Sequence, residues 1–153
     1  AAERLELWGV PRADRDELME VARVAATACP HTTAVSTGVG PAGFTADLPL
    51  HDGELLDVPG RRIELLHTPG HTPGSMCFKL EHAPVLFSGD TLFPGGVGNA
   101  TFEGGDFATL IGAVEDRLFR PYAGDTLVLP GHGASTTLGT ESPHLQDWID
   151  RGW

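Results

Sequence analysis

The sequence predicts a layered α/β domain, and three observations carry that prediction. Short apolar runs of strand length recur from about residue 48 onward, bounded by Gly, Pro and Asp-Gly turn signals. Stretches with apolar residues at helical spacing precede and interrupt them, at 14–29 and 107–118. Strands with helices between and after them bury their apolar faces most simply in stacked layers. With 153 residues and a 41% hydrophobic content, the chain is expected to form one domain over 1–153.

Each element has its own signal. Asp14-Arg-Asp-Glu17 has the form of a capping box with Asp as the cap. Behind it Leu18, Val21, Ala22, Ala25 and Cys29 fall on one helical face, and Pro30 lies beyond the end. Residues 33–37 read as a short strand and 38–46, rich in Gly and Pro, as a loop. Asp52-Gly53 marks a turn between 48–50 and 54–58, and Pro59-Gly60 marks the next one. Strands are expected at 62–66, 75–80, 85–87 and 126–129. Residues 94–105 contain Gly95, Gly96, Gly98, Gly104 and Gly105 and read as a long shaped loop. Phe107, Leu110, Ile111, Val114 and Leu118 mark a helix with Asp106 as N-cap. Ser142-Pro143 opens a short last helix with Leu145, Trp148 and Ile149 on one face. Trp8, Trp148 and Trp153 read as packing or terminal residues.

Charge narrows the function. With 21 Asp+Glu against 10 Lys+Arg, the net charge is -11. Nucleic-acid phosphates and anionic membrane surfaces both ask for a basic face, so neither is expected as a partner. A small-molecule substrate is. Neither a signal peptide nor a long apolar span is evident, which makes a cytoplasmic location the expectation. Cys29 and Cys77 share no metal-type spacing and no disulfide framework. Cys77 lies in a strand pattern and is expected as a buried thiol.

The chemistry concentrates in three loops. His67-Thr-Pro-Gly-His71-Thr-Pro-Gly-Ser75 follows one apolar run, Ser88-Gly-Asp90-Thr91-Leu-Phe93 the next, and Leu129-Pro-Gly-His132-Gly133 the last. Neutral imidazoles and carboxylates on stiff strand-end loops are what a zinc-type site needs. Pro-Gly pairs pin His71, and Gly131 and Gly133 bracket His132, leaving room for an ion or a substrate. Ser88, Thr91 and Thr72 are candidates either for hydrogen bonds to the ligands or for bracing the turns. Loop 94–105 is a candidate lining of a substrate cleft; it lacks the Lys-Ser/Thr ending of a phosphate loop. His82 is expected in a hairpin turn and His144 exposed in the first turn of a helix.

Together these residues resemble the metallo-β-lactamase fold superfamily, in particular its glyoxalase II-like hydrolases, from about Asp52 to the C-terminus. The family's T-P-G-H-T-x-G-S, G-D-T-L-F and P-G-H-G settings fall on His71, Asp90 and His132. The resemblance implies the C-terminal portion of an αββα sandwich. It implies two bound zinc ions in a complete enzyme, with iron or manganese as other options. His71 would hold one, His132 the other, and Asp90, the candidate catalytic residue, would bridge them as a ligand rather than act as a base. His67 is given a structural or supporting role, since the resemblance places the ligand at His71.

The family's first motif, H-x-H-x-D-H, has no counterpart among the 153 residues. The expectation is that the chain starts just after it, lacks three or four ligands, is inactive alone, and exposes strand edges that favour aggregation. For the complete protein, the resemblance implies hydrolysis of a thioester or ester by a metal-activated hydroxide. Only about 20 residues follow His132, too few for the glutathione-holding helical domain of glyoxalase II, so a generic hydrolase is the expectation. Two other functions compete: an iron-dependent persulfide dioxygenase-like oxidoreductase, and a non-catalytic fragment.

Overall fold

Two-residue periodicity sorts the strand side chains into two cores. The computed structural model describes residues 50–58 and 61–152. The expected helix at 14–29, the strand at 33–37, the loop at 38–46 and the Pro59-Gly60 turn lie outside the described residues. Within them, β1 (Leu55–Val58), β2 (Arg61–His67), β3 (Met76–Leu80) and β4 (Val85–Gly89) form an antiparallel run. A crossover then brings β7 (Leu127–Pro130) parallel to β4, and β8 (Thr136–Thr137) closes the six-stranded order β1-β2-β3-β4-β7-β8. A two-stranded ribbon of β5 (Leu92–Phe93) and β6 (Gly96–Val97) lies between.

Ile63, Leu65, Met76, Leu80, Val85 and Leu129 point to one face and pack with Leu50. Leu66, Cys77, Leu86 and Val128, one residue out of phase, point to the other. That second face is covered by α1 (Phe107–Val114), a π-helical turn (Glu115–Phe119) and the C-terminal helices. A sheet buried on both faces reads as near-continuous apolar runs, which is why its strands were legible. Each fully buried aliphatic side chain contributes roughly 1.5–3 kcal/mol.

The turns and caps behave largely as their chemistry requires. Gly53 takes φ 76° in the Asp52-Gly53 turn. Asp106 caps α1, accepting from Thr109 N at 2.6 Å. Hydrogen bonding from the Thr109 side chain and backbone holds the Asp106 carboxyl below the usual range. His82 sits in the β3–β4 turn at φ 60°, and His144 is exposed. Arg117 pairs with Asp52, which also accepts from His67 N at 2.8 Å, tying the π-helical turn to the start of the sheet. Tyr122 donates to Glu64 at 2.8 Å, and burial pushes its phenol upward.

Three expectations need correction. Loop 94–105 is not wholly irregular, because Gly96–Val97 pairs back on Leu92–Phe93. The last helical region starts earlier than Ser142: α2 (Leu138–Glu141) is capped by Thr137, whose Oγ1 accepts from Thr140 N at 3.2 Å. Ser142–His144 is only a 3-10 turn leading into α3 (Leu145–Arg151). Finally, Trp148 is 2% exposed but Ile149 is 42% exposed. Successive residues are about 100° apart on a helix, so with Trp148 facing the core its neighbour turns out of it.

Candidate metal centre

Strand register brings the three sequence-predicted residues together. β4 and β7 are parallel neighbours, with Gly89 opposite Pro130, so the residues that follow them emerge side by side. Gly131 N donates to Gly89 O at 2.8 Å and fixes that juxtaposition. β3 runs antiparallel to both β2 and β4, so the 68–75 loop joining β2 to β3 opens at the same end of the sheet. His71, Asp90 and His132 therefore share one rim.

Each loop is stiffened locally. Thr72 N donates to Ser75 Oγ at 3.1 Å, and the two hydroxyls lie 2.8 Å apart. Gly70 sits at φ 132° with α1 directly against it: a Cβ there would come within 2.4 Å of Leu110. Only glycine satisfies both the conformation and the contact. After β4 the ladder shifts register at Phe87/Gly89, Gly89 turns to φ 51°, and Thr91 N donates to Ser88 O at 2.9 Å. This bend directs Asp90 off the strand end. Thr68, Thr91 and Cys77 form a buried cluster beneath, with hydroxyls 3.1 Å apart and Thr68 Oγ1 3.3 Å from Cys77 Sγ. Ser88 Oγ donates to Leu92 O at 2.8 Å. Of the two roles open to Thr72, Ser88 and Thr91, these hydrogen bonds are those of bracing the turns.

The Asp90 carboxylate lies between two imidazoles. His71 Nε2 is 3.6 Å from Oδ2, and His132 Nε2 is 3.7 Å from Oδ1. Glycines make the space. A Cβ at Gly131 would be 2.8 Å from Asp90 Oδ1, and one at Gly98 would be 1.8 Å from the Asp90 carbonyl oxygen. His71 Nδ1 donates to the Asn99 carbonyl at 2.6 Å. A carbonyl only accepts, so Nδ1 carries the proton. In the neutral ring, Nε2 then presents a lone pair towards a carboxylate oxygen. A cation between these two electron donors, 3.6 Å apart, would satisfy both. The donor set thus fits metal binding, with each carboxylate oxygen serving a different histidine. Among the described residues no three His, Cys, Asp or Glu side chains are grouped to hold one ion.

His67 is not part of this set. Its Nε2 donates to the Pro73 carbonyl at 2.9 Å, fastening the loop across its base. Sequence reasoning missed Asn99, because a main-chain carbonyl has no side-chain signature. It also missed two aromatic rings. Phe102 meets His71 edge to face, and Phe93 lies against His132. Segments 68–75, 90–106 and 130–135 contain no Lys or Arg, and their acids are Asp90, Glu103 and Asp106.

A model of the metallo-beta-lactamase superfamily matches residues 3–134. Hydroxyacylglutathione hydrolase GloC of Haemophilus influenzae is 43% identical over 90 residues, covering 59% of this chain and 42% of that protein. The chain thus spans about two fifths of the length of such curated relatives. Among solved structures, TTHA1623 in a di-iron-bound form matches with TM-score 0.55 and 39% identity, over 62% of this chain and 45% of that one. ETHE1 from Myxococcus xanthus matches with TM-score 0.65 and 27% identity, over 87% and 68%.

Proposed function

The chain belongs to the metallo-beta-lactamase superfamily, a family of metal-binding proteins that are mostly hydrolases, and from that premise we propose that its centre hydrolyses a thioester or ester. The observation that carries this reading is the Asp90 carboxylate set between His71 and His132, one oxygen to each imidazole. His71 Nε2 and Asp90 Oδ2 would hold one cation, His132 Nε2 and Asp90 Oδ1 the other. Bound divalent cations supply Lewis acidity, which brings the pKa of water towards neutrality and polarises a carbonyl oxygen.

The chain's own residues prepare that chemistry. The Asn99 carbonyl fixes the His71 tautomer and the ring's orientation, leaving Nε2 to face the Asp90 carboxylate. Asp90 acts as a shared ligand, not as a base, because both of its oxygens face histidines. Catalytic zinc sites use about three protein ligands per ion, so donors from beyond His71, Asp90 and His132 must complete the centre. GloC, a hydroxyacylglutathione hydrolase, supports the thioester class. Zinc is our first choice of metal. The structural likeness to ETHE1, a dioxygenase, favours a second reading, an iron-dependent persulfide dioxygenase-like oxidoreductase.

Elemental analysis and thioester turnover on purified protein that includes the remaining donors test the proposal together. Bound zinc with hydrolysis, both lost in Asp90→Asn, is the expected result. Iron with oxygen uptake on a persulfide and no hydrolysis would transfer the function to the second reading. No metal and no turnover in a protein that contains all the donors would remove both.

A further inference from the structure

Phe102 stands on the surface where burial would have been favourable. It is 57% exposed, and its ring meets His71 at 5.8 Å between centroids and 85° between planes. Its loop is held on both sides. Asn99 Oδ1 accepts from Thr101 N at 2.9 Å and from Thr101 Oγ1 at 2.8 Å. Gly105 N donates to the Phe102 carbonyl at 2.9 Å, and Asp106 N donates to Gly70 O at 2.8 Å. The ring is therefore positioned beside a candidate ligand with more than half of its surface open. Phe93 sits 4.7 Å from the His132 ring and supplies a second aromatic wall.

Charge points the same way. The three site loops carry no Lys or Arg, and Glu103, next to Phe102, is exposed. Away from the metal-binding side chains, a carboxylate-bearing portion of a substrate, as in a glutathione group, would find no Lys or Arg on these loops to pair with and would face Glu103. A neutral apolar group meets two ring surfaces instead. We infer that this centre takes substrates whose group beside the scissile carbonyl is an uncharged aryl ring, and that Phe102 is the residue selecting them. What bond is cleaved rests on the hydrolase reading above; what is bound next to His71 does not.

Equilibrium binding of three probes to the metal-loaded protein, read from its histidine ring NMR shifts, tests this. Acetate supplies a carboxylate alone, phenylacetate adds the ring, and S-methylglutathione adds a charged tripeptide. Aromatic contact predicts that phenylacetate binds about three- to tenfold tighter than acetate. S-methylglutathione should bind no tighter than acetate. Phe102→Ala should bring the phenylacetate-to-acetate ratio below about twofold, and Phe102→Leu should retain part of it. Equal binding of the two acids to the wild-type protein, a ratio that survives Phe102→Ala, or tight binding of S-methylglutathione would each overturn the inference. An aryl preference in a protein that hydrolyses no ester or thioester would sink the hydrolase reading and leave this one standing. Hydrolysis without aryl preference would do the reverse.

Discussion

The Asp90 carboxylate can occupy its place only because its neighbours are small. Its carbonyl oxygen lies where a Cβ at Gly98 would sit, and its Oδ1 lies 2.8 Å from one at Gly131. Gly131→Ala therefore pushes on the carboxylate itself. It should lower bound metal per chain while costing about 1–3 kcal/mol or less in stability, as elemental analysis and thermal unfolding would report; unchanged metal content would contradict the assignment of Asp90. Cys77 gives a second test. Burial pushes its thiol from an ordinary 9.0 up to about 11, against the lowering influence of Thr68 and Thr91. A raised thiol favours the folded state while protonated. That contribution is present below pH 9 and is lost as pH rises towards 11. It amounts to about 2–3 kcal/mol. The denaturation midpoint should fall over that window, less so in Cys77→Ala, and iodoacetamide should label the Cys77 peptide at pH 8 only after unfolding. At this scale the sequence singled out His71, Asp90 and His132 through their side chains, and the fold brings these three to one rim. It was silent on Asn99, which acts through its backbone, and on Phe102, whose placement depends on a folded loop.

Among the elements, the long strands and α1 were legible because apolar periodicity and an N-cap specify them. The two-residue strands β5, β6 and β8 were not, since a pair of residues has no period, and α2 hides behind Thr137-Leu-Gly-Thr140, a weak cap. One buried acid joins these short pieces. Glu141 is 3% exposed, accepting from Gly95 N at 2.8 Å and from Thr136 Oγ1 at 2.5 Å. It thus staples the β5–β6 turn to β8. From β6 the chain runs directly into Gly98 and Asn99, where Gly98 N donates to Thr91 O at 3.2 Å and Asn99 orients His71. Glu141→Ala strands a buried N–H and a hydroxyl, which should cost about 1–3 kcal/mol of stability. Loss of the staple should also weaken metal binding at a distance. Glu141→Gln keeps an acceptor for Gly95 and should recover most of both. Chemical denaturation with metal titration reads the two effects separately, and full metal affinity in a destabilised Glu141→Ala protein would confine Glu141 to a structural role.

For the whole molecule, the three candidate ligands sit on loops that follow β2, β4 and β7, so a bound ion ties together separate parts of one sheet. Ligands this far apart in sequence are brought together only by folding. Metal binding is therefore folding free energy as well, and it must appear in stability. A ligand held at a hundred times its Kd adds about 2.7 kcal/mol. The chain's net charge of -11 works in the same direction, because two divalent cations offset part of its self-repulsion. Zinc added to metal-stripped protein should raise Tm by several degrees, and a chelator should reverse the shift. Charge neutralisation alone would give the same rise with magnesium, and would give it equally in His71→Ala and His132→Ala. Coordination would not: hard magnesium prefers oxygen ligands and water, so the zinc shift should exceed the magnesium shift, and each histidine variant should lose most of the difference. Equal shifts for the two metals would mean that the acidic surface, not the His71–Asp90–His132 rim, is what the cations stabilise.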